Sequence, residues 1–249
     1  MKLKKIAFNT AAVLLLCCSS LGFAREKIIF TCAMAPDFPL KELSHEIFTE
    51  AFDALGYDFD FRLSADLRSV VDAASGVTDG VCSRVYNYNE ISGSPNLMRV
   101  ESRVADVTIE VWSRKSGVAI NTMGDLPENT SGSNQSRVGH KRGSVWIADY
   151  LKTQPQFESV RVVDVGMGMK MLGGGRLDLF IGIAPLIDFA VDKYHLHDSV
   201  YLAGTLTKLG LYPYLNVRHR ELAAPLAEQL NRLIKESNDV QKSWKQQTE

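Results

Sequence analysis

Residues 78–88, TDGVCSRVYNY, contain the strand on which the fold prediction rests. A polar turn, Thr78-Asp79-Gly80, leads into a short apolar run that holds Cys82 and Arg84, and two tyrosines and an asparagine follow. A short apolar run bounded by turn residues is typical of a buried strand. The polar and aromatic residues directly after it are candidates for whatever the end of this strand presents.

The segments upstream of this strand alternate between strand and helix patterns. Strands are predicted over 27–33 and 57–63, and helices over 40–55 and 65–74, the second with Ser64 as its N-cap. The order β-α-β-α-β at these spacings predicts a parallel, doubly wound sheet.

The second half of the chain repeats the scheme. Strands are predicted over 137–140, 160–163 and 177–183, and helices over 145–151 and 166–172. GVTDGVC at 76–82 and GRLDLFI at 175–181 share a Gly-x-x-Asp start and occupy matching places in the two series. We therefore expect two similar α/β lobes.

Two long strand patterns lie between the predicted lobes. They cover 104–114 and 205–217, and they are expected to run from lobe one to lobe two and back. A leucine-rich helix over 221–237 is amphipathic and needs a surface, for which lobe one is the candidate. The expected division is lobe one over 25–110 plus 208–249, lobe two over 111–207, and a loop at 128–136.

Residues 1–24 have the features of a secretory signal peptide. Three lysines near the start precede an apolar run to Leu16, and small residues lie before a cleavage point after Ala24. Because the apolar run is too short to span a bilayer, we expect cleavage there and a periplasmic protein. A lipoprotein anchored through Cys17 or Cys18 is the alternative.

The chain that remains after cleavage has a mild negative charge. Removing the three lysines of residues 1–24 changes the formal net charge from −1 to −4. This charge argues against a nucleic-acid partner, which favours a basic surface. Cys32 and Cys82 remain, and they either pair in an oxidising compartment or stay as buried thiols.

Several segments in this order resemble the periplasmic solute-binding proteins of ABC transporters, specifically the amino-acid-type class called family 3. The segments are APDFP, TDGVCSRV, PNLMRV, VTIEVWSRKSG, VGHKRGS, GGGRLDLFIGI and YPYLNVRHRELAAPLAEQLNRLI. The resemblance covers essentially the whole chain after residue 24. It implies a type II periplasmic-binding fold, in which two α/β lobes joined by two crossover strands close on a ligand.

The resemblance also implies where a ligand lies, because ligands of open α/β sheets bind beyond the carboxyl ends of the strands. The expected ligand-binding residues are Asp37, Phe38, Arg84, Tyr86 and Asn87 in lobe one, and Arg142, Ser144 and Val145 in lobe two. It further places the first and third strands side by side, so that a disulfide between Cys32 and Cys82 is expected.

Some of these candidates have a plainer interpretation. Arg84 is suited to pair with a carboxylate but equally to a structural ion pair at a strand end. The segment around Ser144 suits an anion at a helix N-terminus, but it also suits an ordinary helix start. His195 and His197 are two apart, yet no third ligand stands nearby, so no metal site is expected.

Two positions depart from the amino-acid-binding pattern. The region that carries a carboxylate-binding arginine in that class is Asn89-Glu90-Ile91 here, and the position of its ammonium-binding aspartate is Ile183. Binding of ordinary α-amino acids is therefore not expected. Asp188, five residues on, needs a different loop path to substitute.

Three functions remain open at this point. The first is a monomeric, non-enzymatic binding protein, without cofactor, that captures a small polar or anionic metabolite for a membrane permease or sensor. The second is a periplasmic lyase or dehydratase on the same fold, with Asp37, Glu90 and His140 as its available acids and bases. The third is an interaction module for a membrane sensor whose cleft no longer binds a small molecule.

Overall fold

The computed structural model describes residues 24–34, 41–120, 125 and 135–248, with side chains to residue 237. The predicted signal peptide (apart from Ala24), Asp37, Phe38 and most of the predicted loop 128–136 lie outside the described residues. Among the described residues, no helix combines the length and the apolar character needed to cross a membrane.

The strands of the described chain form one curled, mixed sheet of nine members. They are β1 (Lys27–Cys32), β2 (Asp58–Leu63), β3 (Gly80–Val85), β4 (Leu97–Arg99), β5 (Ala105–Ser113), β6 (Ser136–Lys141), β7 (Phe157–Val162), β8 (Leu179–Ile183) and β9 (Tyr201–Asn216).

Helices follow most of the strands. They are α1 (Lys41–Ala54), α2 (Asp66–Ala74), α3 (Tyr88–Ile91), α4 (Val145–Lys152), α5 (Val165–Gly173), α6 (Ala184–Lys193) and α7 (Ala223–Thr248), the last preceded by a 3-10 turn over Val217–Leu222.

The sheet contains the same arrangement twice. Its strand order is β2-β1-β3-β9-β5-β8-β6-β7, with β4 also on β9. β1 pairs in parallel with β2 and β3, and β6 pairs in parallel with β7 and β8, so the first strand is central in each set. This confirms the predicted pair of β-α-β-α-β lobes, which we call lobe one (β1–β4, α1–α3 and α7) and lobe two (β6–β8 and α4–α6).

Two long antiparallel strands connect the lobes. β5 and β9 pair with each other from Ala105↔Leu211 to Ser113↔Tyr201. The last part of β9 pairs with β3 and β4, while β5 pairs with β8. The predicted crossover strands are therefore confirmed, and they form the boundary at which the two lobes meet.

Each lobe has its own apolar core. In lobe one, the rings of Phe30, Phe48, Phe52 and Phe59 lie 5.0–5.7 Å apart, and Leu226 and Leu230 of α7 pack into the same cluster. In lobe two, the largest buried side chains lie between β6, β8 and their helices. The predicted surface for the C-terminal helix is therefore confirmed as lobe one.

The predicted N-cap of α2 is wrong by one residue. Ala65 occupies the N-cap position, and within the described residues no side chain caps this end of the helix. The reason is that the Ser64 amide donates to the Cys32 carbonyl, 3.1 Å away, so Ser64 still belongs to the end of the sheet.

Candidate functional site

A cavity of about 300 Å³ lies between the two lobes, at the carboxyl ends of β1, β3, β6 and β8. Both lobes and both crossover strands contribute to its walls. Tyr88 lines it from lobe one, Trp146 from lobe two, and Ile109 and Leu209 from the crossover strands. This is the place at which open α/β sheets hold ligands.

A cluster of three charged residues lies in the cavity wall where the lobes touch. Asp66, at the start of α2, accepts from the Nζ of Lys141, at the end of β6, over 2.6 Å. Arg84 lies 3.8 Å from the other carboxylate oxygen of Asp66. The Asp66 and Lys141 side chains are only 16% and 24% exposed, so this ion pair joins the two lobes in a partly dry setting.

Arg84 lines the cavity, but its guanidinium binds within lobe one. Its Nη1 donates to the Ser83 carbonyl over 2.7 Å, and its Nη2 donates to the Asp66 carbonyl and to Ser69 Oγ over 3.1 and 2.5 Å. It also lies 5.4 Å from the centre of the Tyr88 ring. The structural interpretation of Arg84 accounts for these contacts, since they fasten the first turn of α2 to β3.

The turn from β6 into α4 brings lobe two against lobe one. Gly143 adopts a φ of +93°, and a Cβ placed on it would lie 2.4 Å from the Cβ of Asp66. The next residues, Ser144 and Val145, line the cavity, and Val145 also packs on the lobe-one cluster around Tyr88. The two lobes are therefore in close contact at this edge of the cavity.

Three of the predicted site residues do not line the cavity. Tyr86 is 55% exposed, and its ring lies 3.4 Å from the guanidinium carbon of Arg99, outside the cleft. Asn87 occupies the N-cap position of α3. Arg142 is exposed, and its backbone amide continues the β6–β7 pairing by donating to the Val162 carbonyl over 2.8 Å.

The disulfide expected from the resemblance is present. Cys32 and Cys82 are bonded, with their Cα atoms 5.2 Å apart. The bond joins the ends of β1 and β3, and Cys82 lines the cavity. The disulfide therefore fixes the lobe-one side of the cleft.

Comparison with known proteins shows which solved structures share this fold. No protein-family model matches the chain. A relative from Shewanella oneidensis, described as an uncharacterized protein, is 25% identical over 197 residues, which cover 76% of this chain and 70% of that protein. A histidine kinase sensor domain with similarity to periplasmic binding proteins superposes with a TM-score of 0.69 at 14% identity, over 88% of this chain and 96% of that domain.

Two further solved structures are similar over comparable lengths. The amino-acid ABC transporter substrate-binding protein AbpA of Streptococcus pneumoniae, bound to L-arginine, has a TM-score of 0.65 at 16% identity, over 87% of this chain and 92% of that one. The periplasmic VFT2 domain of Bordetella pertussis BvgS has a TM-score of 0.62 at 16% identity, over 84% and 90% of the two chains.

This chain has the two-lobed type II periplasmic-binding fold. The cleft between the lobes of this fold is the cavity described above, and one of the two departures noted in the sequence lies in its wall. Ile183 lines the cavity at the end of β8, whereas Glu90 is exposed and lies outside the cavity.

Of the acid and base candidates for a lyase, Glu90 and His140 do not line this cleft, and Asp37 lies outside the described residues. His140 is 1% exposed, lies within the sheet of lobe two, and has its Nε2 2.9 Å from Ser159 Oγ. Burial is the main cause that lowers the pKa of His140 below its ordinary value. In the described part of the chain, no cluster of three or more His, Cys, Asp or Glu side chains is arranged to hold a metal ion.

Asp66, Lys141 and Trp146 line the cavity but are not among the site residues predicted from the sequence. Lys141 ends β6, while Asp66 and Trp146 lie in the first turns of the helices that follow β2 and β6. Residues of this kind can be found in a sequence by considering the last residue of each predicted strand and the first turn of the helix that follows it.

Proposed function

We propose that this chain is a periplasmic binding protein that captures a small molecule between its lobes by hinge closure. The observation that carries the proposal is the cavity enclosed by both lobes and by both crossover strands. Solute-binding proteins and sensor domains share this fold, as the comparisons above describe. The third function, a module with a cleft that no longer binds, is less favoured because the cavity persists.

The proposed hinge lies in the crossover strands. The pairing of β5 with β9 changes register twice, between Ile109 and Glu110 and between Val111 and Trp112, so that bulges flank the predicted lobe boundary. Bulges bend strands locally, so this position suits a rotation of one lobe against the other. We therefore keep 25–110 plus 208–249 and 111–207 as the proposed moving bodies.

Ligand capture is tested on the chain from Arg25 onward. Thermal unfolding is followed against a panel that includes amino acids, dicarboxylates, indole and simple phenols. A ligand at one hundred times its dissociation constant adds about 2.7 kcal/mol to the free energy of unfolding. Small-angle scattering, with and without any hit, then measures lobe closure and the expected monomeric mass. A well-folded protein that shows neither response across the panel contradicts the proposal.

Delivery to a permease and signalling to a membrane sensor are distinguished by the partner. The protein is cross-linked to membranes of the native host with and without a hit ligand, and the captured membrane protein is identified by mass spectrometry. An ABC permease supports delivery, and a sensor kinase supports signalling. Export is tested by measuring the mass of the protein in a periplasmic extract. The measured mass is expected to correspond to a chain that begins at Arg25.

A further inference from the structure

The walls of the cavity are mainly apolar in each part that contributes to them. Val85 and Met34 line it from lobe one, Trp146 and Ile183 from lobe two, and Val107 and Leu211 from the crossover strands. Apolar surface is poorly suited to an ionised ligand, because a charge moved there loses its hydration. The walls alone therefore favour a ligand that is itself apolar.

The charged side chains in the described walls are paired with other protein groups. Asp66 binds Lys141 and lies beside Arg84, and Asp106 forms an ion pair with Arg103. A ligand carboxylate that took Lys141 would leave the partly buried Asp66 without its nearest cation. Breaking a partly buried ion pair in this way is costly, so the arrangement disfavours an anionic ligand.

The end of β8 disfavours a cationic ligand. Ile183 presents a branched apolar side chain to the cavity at the end of this strand. The neighbouring residue Gly182 and the start of α6, including Pro185, continue the apolar wall. An ammonium group placed here would lose water without gaining an acceptor from these side chains.

The wall also offers a few neutral polar groups. The hydroxyl-bearing residues Ser83 and Ser144 line the cavity from opposite lobes, and the rings of Tyr88 and Trp146 add aromatic surface. The volume of about 300 Å³ is at the small end of ligand cavities. A compact molecule with one or two neutral polar groups matches this combination.

We infer that the cleft takes an uncharged, mainly apolar small molecule, an aromatic or branched aliphatic compound with a hydroxyl or amide group. This inference rests on the proposed function, and it replaces the polar or anionic metabolite expected from the sequence. The class differs from α-amino acids because neither an ionised carboxylate nor an ammonium group finds an unengaged partner of opposite charge among the described wall residues.

The inference is tested with the uncharged fluorophore N-phenyl-1-naphthylamine as the probe. Its fluorescence is titrated with the chain from Arg25 onward, and indole, 4-methylphenol, L-arginine, L-glutamine and succinate are then added as competitors. We expect the probe to bind, indole or 4-methylphenol to displace it, and the three ionised compounds to leave it bound.

Matched variants locate the probe. Ile183→Asp places a charge in the cavity wall, whereas Val163→Asp places the same charge on a side chain that is 59% exposed and outside the cavity. We expect about tenfold or greater weakening of probe binding in the first variant, which corresponds to about 1.4 kcal/mol, and no change in the second. Should Ile183→Asp fail to fold, Ile183→Phe tests the cavity position by adding side-chain volume, and Val163→Phe is its control.

The outcomes separate the ligand class from the function. If an ionised compound raises the unfolding temperature and closes the lobes while the probe and the neutral compounds do not bind, the ligand class is wrong and the binding function stands. If Ile183→Asp and Ile183→Phe both bind the probe as the parent does, the cavity is not its site and the inference is overturned. If no compound binds or closes the lobes, the proposed function fails as well.

Discussion

Asp79, in the turn that opens β3, connects three parts of lobe one. Its carboxylate accepts from the Ile29 amide over 2.7 Å and from His219 Nε2 over 2.7 Å, and it also binds the guanidinium of Arg218. These contacts join β1, β3 and the 3-10 turn that precedes α7. Burial raises the pKa of Asp79, but the hydrogen bonds from Ile29, Arg218 and His219 outweigh burial and hold the pKa below its ordinary value.

We predict that Asp79→Asn destabilises the protein in a pH-dependent way. Because the folded pKa lies below the unfolded value of about 3.9, the ionised carboxylate stabilises the fold at pH values above that, and this stabilisation is lost as the pH falls through the folded pKa. The expected loss at pH 7 is about 1–3 kcal/mol. Urea unfolding at pH 7 and at pH values below 4 measures it, and the difference between variant and parent should shrink at the lower pH.

Asp53→Asn is the control for this prediction. Asp53 is 65% exposed and pairs with Arg25 at the surface. Pairs of this kind contribute little to stability, so its unfolding curve should match that of the parent. An Asp79→Asn deficit that stays constant down to the lowest pH would show that the charge of Asp79 is not the stabilising feature.

The site residues show what a single sequence reveals at this scale. Arg84, Ser144 and Val145 line the cavity. They could be predicted because the ends of β3 and β6 are visible in the pattern of turns and apolar runs. Tyr86 lies outside it because the chain leaves the strand after Val85 and turns into the short helix α3. The direction of such a turn depends on tertiary contacts, so strand alternation could not place Tyr86. The ligand-binding roles remain predictions.

At the scale of elements, the pattern of apolar residues was sufficient to predict most strands and helices of lobe one and lobe two. The strands and helices predicted from β1 to β3 and from β6 to β8 are present, since apolar residues at helical spacing, alternating residues or short apolar runs bounded by turns mark them. β4, with three residues, is too short to show a period. α6 was not predicted because its first residues continue the apolar run of β8, and only Pro185 near the first turn signals the change.

We predict that α7 contributes strongly to the stability of lobe one through one face. Leu230 is fully buried in the cluster that contains Phe48 and Phe52. Leu230→Ala should lower the free energy of unfolding by about 2–5 kcal/mol, because it leaves a cavity in a packed core. Urea unfolding measures this loss.

Glu228→Ala is the matched control on the same helix. Glu228 is exposed, two residues before Leu230, and its substitution should change stability by less than about 0.5 kcal/mol. Equal curves for the two variants would mean that α7 is not docked on lobe one in solution.

We predict that the disulfide between β1 and β3 stabilises the protein. Cys32 and Cys82 are 50 residues apart, and closing a loop of this length contributes about 4 kcal/mol in the loop-entropy model. The double variant Cys32→Ala, Cys82→Ala should lose stability of this order in urea unfolding. A thiol reductant should weaken the parent similarly and leave the double variant unchanged. A parent protein whose thiols become titratable without any loss of stability would contradict the prediction.

At the scale of the whole molecule, the two lobes contact each other beside the cavity. Asp66 contacts Lys141 from lobe two, and Val145 packs into the lobe-one cluster around Tyr88. These contacts lie in the cavity wall, and the bulges beside Ile109 and Val111 lie in the crossover strands. A rotation at the bulges would separate the contacts and open the cavity to solvent, which is the motion that ligand capture requires.

Gly143, in the wall of the cavity, offers a way to test closure through the contact between the lobes. A Cβ at this position would lie 2.4 Å from the Cβ of Asp66, closer than real Cβ contacts allow. Gly143→Ala should therefore force the turn of lobe two away from α2 and shift the population towards open forms. The expected results are a larger radius of gyration in small-angle scattering and about tenfold weaker binding of N-phenyl-1-naphthylamine, since closure becomes costlier by about 1.4 kcal/mol.

Backbone strain alone must be separated from the collision, because Gly143 has a φ of +93° that an alanine adopts poorly. Gly56 supplies the control: its φ is +85°, and among the described residues a Cβ there would meet no atom within 4 Å. Gly56→Ala should lower stability through strain, but its scattering curve and its affinity for the probe should equal those of the parent. If both variants scatter like the parent, contact between Gly143 and Asp66 does not set the closed form. If only Gly143→Ala expands, contact across the lobes controls access to the cleft.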